Sequence, residues 1–318
     1  MSLKILEKPL VNNNELREVY GDTLISLTKD NNKIVALEAD LMGTIKMNKY
    51  QQTFPENFVN CGIMEANMVG IASGFSLRGF IPFMHTFGPF ATRRCFDQLF
   101  LSIGYSGLDL TVIGSDAGVS AAHNGGTHMP FEDMGLMRLI PNSTVIEISD
   151  FVMFGDILKQ VASIHGLHYL RIIRKTMLQI YKEGSTFEIG KGIVLREGKD
   201  ATIIATGIMI KEALEAADEL LKENISVTVI DMFTIKPIDK DLLIEYAKKT
   251  NLIITAENHN IIGGLGSAVA ECLAENYPTK VVRIGVNERF GQVGTQDFLQ
   301  KEYGLTKDNI VKTVKENL

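Results

Sequence analysis

The chain has 318 residues, 45% of them apolar and 22% charged, with a formal net charge of -6. That length admits two domains with separate cores, and the composition is that of an ordinary soluble globular protein. The acidic balance and the lack of a Lys/Arg run argue against nucleic acid as a partner, and no apolar run approaches the roughly twenty residues of a membrane span. The opening MSLKILEKPL lacks the long apolar segment of a signal peptide. Cys61, Cys95 and Cys272 are scattered and odd in number, which speaks against a disulfide framework or a thiolate metal cluster. A cytoplasmic location is expected.

The patterning predicts alternating helices and strands. A helix is expected over Glu15 to Lys29, then a buried strand from Lys33 ending at Asp40. An apolar, glycine-studded helix begins at Glu65, a strand follows from Ile81, and a continuous third helix is expected from Ala91 to Ile103. Leu110 to Gly114 and Ser143 to Glu147 read as further strands. A break rich in Gly, Lys and Glu spans Lys182 to Gly198. After it come a strand at Ala201, a helix over Lys211 to Glu223, a strand at Ser226 to Ile230, a helix near Lys240 to Lys249, a strand at Asn251 to Ala256 and a helix after Gly266. Short apolar strands alternating with helices predict an α/β fold with mainly parallel, doubly wound sheets. The domains expected are 1–184 and 185–318.

In such sheets, ligands gather beyond the carboxyl ends of the strands. Asp40, the loop from Phe87 to Phe90 and the loop from Asp116 to His128 share that address. Glu65 admits two readings: a helix-start acid stabilised by exposed amides, or a carboxyl that shares a proton with a ligand nitrogen. Phe87 and Phe90 are either core or a flat wall for a ring. His123 and His128 lie in a long glycine-rich loop, where substrate contact or proton transfer is expected. No His-Glu-x-x-His spacing accompanies them, so a zinc site is rejected and no metal ligand is assigned to this chain. Gly263-Gly-Leu-Gly-Ser follows a strand and opens a helix, yet it lacks the Gly-x-Gly-x-x-Gly spacing of a dinucleotide loop. Glu257, Asn258 and His259 before it are expected to serve loop packing or an interface.

Three motifs then carry a resemblance over essentially the whole chain: Gly62-Ile-Met-Glu65-Ala-Asn with its glycine-rich helix, Thr86-Phe87-x-x-Phe90, and Gly126-Thr127-His128-x-Pro130. Together they resemble the carboxyl-terminal half of the transketolases, a pyrimidine-binding domain followed by a terminal α/β domain. The family's diphosphate- and metal-binding signature, Gly-Asp-Gly followed further on by Asn, is missing; Gly21-Asp22 is followed by Thr23 within the first helix. The resemblance therefore implies one subunit of a split transketolase, inactive alone. Its partner would be an amino-terminal subunit carrying the Gly-Asp-Gly…Asn site, in an α2β2 assembly.

The resemblance implies thiamine diphosphate as cofactor, with Mg²⁺ held mainly by the partner subunit. Glu65 would hydrogen-bond the pyrimidine, Phe90 with Phe87 would stack on it, and Asp40 matches a strand-end acid near the cofactor. His128 matches a histidine that contacts small sugar substrates, from which a two-carbon ketol unit passes to an aldose. Thr44 and Arg174 match residues that contact a substrate phosphate, and Arg171 lies near Arg174 in sequence. Three positions depart from the sugar-phosphate enzymes. Asp116 stands where they have a histidine, Asn124 where they have an aspartate, and Arg93 where they have a tyrosine. An aspartate at position 116 would repel phosphate. A branched or shortened sugar phosphate, or a sulfonated sugar, therefore fits better than a standard pentose phosphate. Two rival readings are the β subunit of a 2-oxo-acid dehydrogenase and a non-catalytic partner that stabilises a larger assembly.

Overall fold

A computed structural model describes residues 3–318, which divide into two compact units. The first comprises residues up to Ala117 together with Leu136–Phe187; the second comprises Gly118–Gly135 and Glu188–Leu318. The second unit thus claims a segment of eighteen residues from inside the first, alongside everything after Phe187.

The first unit contains β1 (Ile5–Leu10), β2 (Ile34–Glu38), β3 (Phe58–Asn60), β4 (Ile81–Phe87), β5 (Leu110–Ser115), β6 (Thr144–Glu147), β7 (Leu167–Arg171) and β8 (Gln179–Tyr181). The main sheet here runs β6-β7-β5-β4-β2-β3, with every neighbouring pair parallel. β2, β5 and β7 are buried along their whole length; β2 and β5 accordingly read as mainly apolar runs, whereas β7, Leu167 to Arg171, buries His168 and Arg171 among its five residues. β1 and β8 pair separately as an antiparallel ribbon. Gly114 is required in β5, because a Cβ there would lie 2.3 Å from the Tyr169 hydroxyl on the neighbouring strand.

The helices Leu16–Asp30 and Phe151–Val161 pack on each other, with the Tyr20 and Phe154 rings stacked at 6.4 Å. The Glu65–Leu77 helix buries Glu65, Met68, Val69 and Ala72, and leaves Asn67, Gly70, Gly74 and Leu77 exposed. Ile63 and Met64, just before it, are exposed too. Apart from Asn67 the exposed residues of the helix are glycine and leucine, a face that suits cover on a second side. The expected continuous helix from Ala91 to Ile103 is instead a broken one. A short helical turn, Gly88–Ala91, gives way to a 3₁₀ turn at Arg93–Cys95, then Phe96–Gln98 and a π-helical stretch at Leu99–Tyr105. Thr92, at φ -125° and ψ -77°, interrupts the helix, a conformation that apolar periodicity does not report.

The second unit contains β9 (Ile193–Arg196), β10 (Ala201–Ala205), β11 (Val227–Asp231), β12 (Thr234–Lys236), β13 (Leu252–Asn260) and β14 (Lys280–Val286). Its sheet runs β14-β13-β10-β11-β9, parallel except for β9. Met209–Lys222, Lys240–Thr250 and Leu265–Asn276 are the helices that link its strands, close to where periodicity places them. No helix among the described residues is long and apolar enough to cross a membrane.

Asp150 ties several parts of the first unit together. Fully buried, it caps the Phe151–Val161 helix by accepting from Met153 N–H at 2.9 Å, and its other oxygen accepts from the Ile180 and Tyr181 N–H groups, each at 2.9 Å. Burial pushes its carboxyl above the usual range, and these hydrogen bonds oppose that shift. Asp150→Ala leaves three buried N–H groups without this acceptor and is expected to cost about 3 kcal/mol of stability. Asp150→Asn, which keeps one oxygen, should cost less. Urea denaturation of the two variants checks both expectations.

Candidate active site

The carboxyl ends of the parallel strands deliver most of the expected residues to one edge of the first unit. β2 is followed by Asp40, β4 ends at Phe87, β5 is followed by Asp116, and Arg174 comes just after β7. Asp40 and Asp116 both adopt a left-handed backbone, at φ 61° each, which turns the chain sharply as it leaves the sheet. Aspartate tolerates that conformation better than most residues. Asp40 is exposed and braced by Asn60, which accepts from its N–H and donates to its carboxylate, both at 3.2 Å.

Glu65 opens its helix and is only 2% exposed. A buried carboxylate needs a partner, and Arg94 supplies one, donating from Nη1 to Oε1 at 2.9 Å. The same guanidinium lies 3.7 Å from the centre of the Phe90 ring, in stacking contact. A planar nitrogen group therefore already lies against the Phe90 face and on the Glu65 carboxylate. An aminopyrimidine has the same flatness and comparable N–H donors, so these residues fit such a ring. Glu65 and Phe90 are legible in the sequence, whereas Arg94 is marked there only by standing four residues after Phe90. Burial pushes the Cys95 thiol up to about 12 and the Cys61 thiol up to about 11, so neither supplies a thiolate nucleophile near neutral pH.

Phe87 and Phe90 have ring centres 6.1 Å apart at 52°, so they do not form one flat wall. Phe87 faces a different cation, the Arg174 guanidinium, at 5.2 Å. Arg174 in turn grips Asp116 with two bonds, Nε to Oδ1 at 2.7 Å and Nη2 to Oδ2 at 2.9 Å. Ala117 N–H donates to Ile172 O, which ties the Asp116 turn to the segment that carries Arg174. Arg17, with no signal in the sequence, meets this segment through its main chain. Its N–H donates to Arg174 O at 3.3 Å and its Nη1 to Thr44 O at 3.4 Å. Arg17 also pairs with Glu15, whose other partner is Lys46. Arg171 is excluded from this group: it is fully buried and pairs with Glu147 inside the core.

His123, Asn124 and His128 lie on the segment that belongs to the second unit. His123 and Asn124 are exposed, and the His128 ring meets the Thr127 hydroxyl at 2.9 Å. Gly126 passes so close to Gly291 that a Cβ would lie 2.2 Å from its carbonyl oxygen, so a side chain here would push the histidine loop away. Asn258 anchors the start of the same segment, accepting from Val119 N–H at 3.0 Å. Glu257 accepts from the Leu265 and Gly266 N–H groups, at 2.7 and 2.8 Å. The amino end of the Leu265–Asn276 helix is thereby occupied by the protein's own carboxylate, which accounts for the weak glycine motif without a nucleotide.

Two family models match the chain. Residues 13–177 match the transketolase pyrimidine binding domain and residues 190–310 the transketolase C-terminal domain. A 6-deoxy-6-sulfo-D-fructose transketolase subunit, SqwH, from Clostridium sp. (strain MSTE9) is 44% identical, over 95% of this chain and 94% of its own. A putative transketolase C-terminal section from Methanocaldococcus jannaschii is 40% identical, over 95% of this chain and 96% of its own. Among solved structures, a split gene transketolase described as an inactive β4 tetramer superposes with a TM-score of 0.88 at 43% identity, covering 96% of this chain and 98% of that one.

The ion pairs around Arg17 make a pH-dependent prediction. Hydrogen bonds from Arg17 and then Lys46 hold the Glu15 carboxyl down at about 2. A depressed carboxyl contributes stability that is present above its ordinary value and lost as the pH falls toward 2. Carbon-detected NMR titration should place the Glu15 midpoint near 2, and Arg17→Met should move it upward toward the ordinary 4.5.

Proposed function

The chain belongs to the transketolase family, and on that premise we propose that it is the pyrimidine-holding subunit of a two-subunit, thiamine-diphosphate-dependent transketolase. The pair transfers a two-carbon ketol unit from a ketose to an aldose. The observation that carries this reading is Glu65, a buried carboxylate that shares one planar nitrogen group with the face of Phe90.

Bound thiamine diphosphate supplies the electron sink that carbon–carbon cleavage of a ketose requires. Glu65 holds a proton at a ring nitrogen of its pyrimidine, and Phe90 lies against the ring. Arg94 gives up both contacts when the cofactor enters; its side chain is 44% exposed and has solvent to turn into. Asp40, just after β2, would lie near the same cofactor. His128, with His123 and Asn124 on the same segment, orients the sugar hydroxyls and moves protons on their oxygens. Arg17, Thr44 and Arg174 receive the far, anionic end of an atypical ketose: a branched or shortened sugar phosphate, or a sulfonated sugar.

The partner subunit brings the Gly-Asp-Gly…Asn site, the diphosphate contacts and Mg²⁺. The exposed apolar side of the Glu65–Leu77 helix, flattened by Gly70 and Gly74, gives such a partner a surface to cover. An α2β2 assembly in the cytoplasm follows from this reading. The relatives above are named as transketolases, which favours this reading over the β subunit of a 2-oxo-acid dehydrogenase. A purely stabilising partner would have no use for a carboxylate buried against a stacked aromatic.

Co-expression with a Gly-Asp-Gly…Asn subunit should yield a complex that binds thiamine diphosphate with Mg²⁺ and turns over a ketose donor; a pair that binds no cofactor defeats the reading. Glu65→Gln is expected to fold and to lose at least about a hundredfold in kcat. Turnover near that of the parent would remove Glu65 from its role. Arg94→Ala should tighten cofactor binding by the pair in calorimetry, since the ring no longer competes with a resident guanidinium.

A further inference from the structure

We infer that Asn258 is a positioning residue. With Asn260 and the turn at Gly291 it fixes the loop that carries His123 and His128, so that the second unit takes part in the reaction by holding that loop still. The inference rests on the reading of those histidines as sugar-contacting groups.

Both feet of the loop meet one strand end. At the first foot the Val119 N–H donates to Asn258 Oδ1 at 3.0 Å; at the second the Asn260 N–H donates to Phe131 O at 2.9 Å. Asn258 and Asn260 stand two positions apart at the carboxyl end of β13, where alternate residues share a face. Val119 and Asn258 are fully buried. The first foot is so tight that a Cβ on Gly118, itself at φ 48°, would lie 2.2 Å from Asn258 Oδ1. A strand end that ties down both feet removes much of the loop's freedom before any contact along its length is counted.

The middle of the loop has its own support, the close approach of Gly126 to Gly291. Tyr303 links that support to the second foot. Its hydroxyl donates to Phe290 O at 2.9 Å, and its ring stands edge-on to Phe131 at 5.4 Å. Between the first foot and the middle, Ala122 takes φ 47° and ψ -113°, a conformation unfavourable to any residue with a Cβ. Such strain persists only where the surroundings over-determine the backbone, and here it falls on the residue just before His123. A loop pinned at three places and strained between two of them is built to hold one shape.

The test compares Asn258→Ala, Asn258→Asp and Tyr303→Phe with the parent. Aspartate keeps an acceptor oxygen for the Val119 N–H, and phenylalanine keeps the ring against Phe131 while losing the hydroxyl. In Asn258→Ala, amide exchange of the full chain should quicken over residues 119–131 by at least about tenfold, the worth of one buried hydrogen bond, with β2, β4 and β5 unchanged. In the pair with the Gly-Asp-Gly…Asn subunit, KM is measured for whichever of xylulose 5-phosphate, fructose 6-phosphate and erythrulose the parent uses best. It should rise by at least about tenfold in Asn258→Ala. The Kd of thiamine diphosphate should stay at the parental value, because Glu65 and Phe90 belong to the first unit. Asn258→Asp should restore most of both readouts, and Tyr303→Phe, the milder change, should move both in the same direction as Asn258→Ala.

Parental exchange of the loop in Asn258→Ala and Tyr303→Phe, a quickened loop with a parental KM, or cofactor affinity that falls as far as KM rises would each overturn the inference. A parent pair that binds no thiamine diphosphate would instead count against the transketolase reading, and amide exchange in the chain alone would still decide whether Asn258 holds the loop.

Discussion

A hydrogen-bonded trio inside the first sheet sets the terms for everything at its edge. His85 meets Glu38 Oε2 through Nδ1 and the Ser115 hydroxyl through Nε2, each at 3.0 Å, and all three side chains are buried. Burial pushes the Glu38 carboxyl up, and His85 opposes that shift. Polar groups this deep are tolerable only when they meet one another, so a slip of any one strand would strand them in apolar surroundings. The trio therefore holds β2, β4 and β5 in one register. The residues that leave those strands are Asp40, the Phe87–Phe90 turn and Asp116. Their relative placement is inherited from the core.

At that edge one motif of side chains appears twice. Glu65, Arg94 and Phe90 form one set, and Asp116, Arg174 and Phe87 the other: a buried carboxylate, a guanidinium bonded to it, and a phenyl ring beside the cation. The two sets differ in how firmly the cation is held. Arg94 makes one hydrogen bond and is 44% exposed, whereas Arg174 makes two to Asp116 and is 20% exposed. A singly bonded, half-exposed guanidinium is readily displaced, and a bidentate, largely covered one is part of the wall. The same chemistry is thus loosely held in one case and firmly held in the other.

Much of this was legible from local patterns. Buried parallel strands read as mainly apolar runs, so β2, β4, β5, β10, β11 and β13 stand close to where they are expected. Because ligands gather at strand ends, Asp40, Phe87 and Asp116 could be named before any contact was known. Local pattern failed where the backbone departs from a regular period. The stretch from Ala91 to Ile103 has helical spacing yet breaks at Thr92. The expected break near residue 184 says nothing of Gly118–Gly135, which is continuous in sequence with the first unit and packs with the second.

The residue types themselves determined that this is an α/β protein with a carboxylate opening an apolar helix, aromatics after a strand, and a glycine-rich histidine loop. Those features have periods and neighbours a few residues long. Only the tertiary structure decided which cation meets which carboxylate. Arg94 reaches Glu65 across 29 residues, and Arg174 reaches Asp116 across 58. Arg17 reaches Thr44 across 27 and lies on the Arg174 backbone. Pairings over such spans are made by the crossovers of a parallel sheet, which bring strand ends together whatever separates them along the chain.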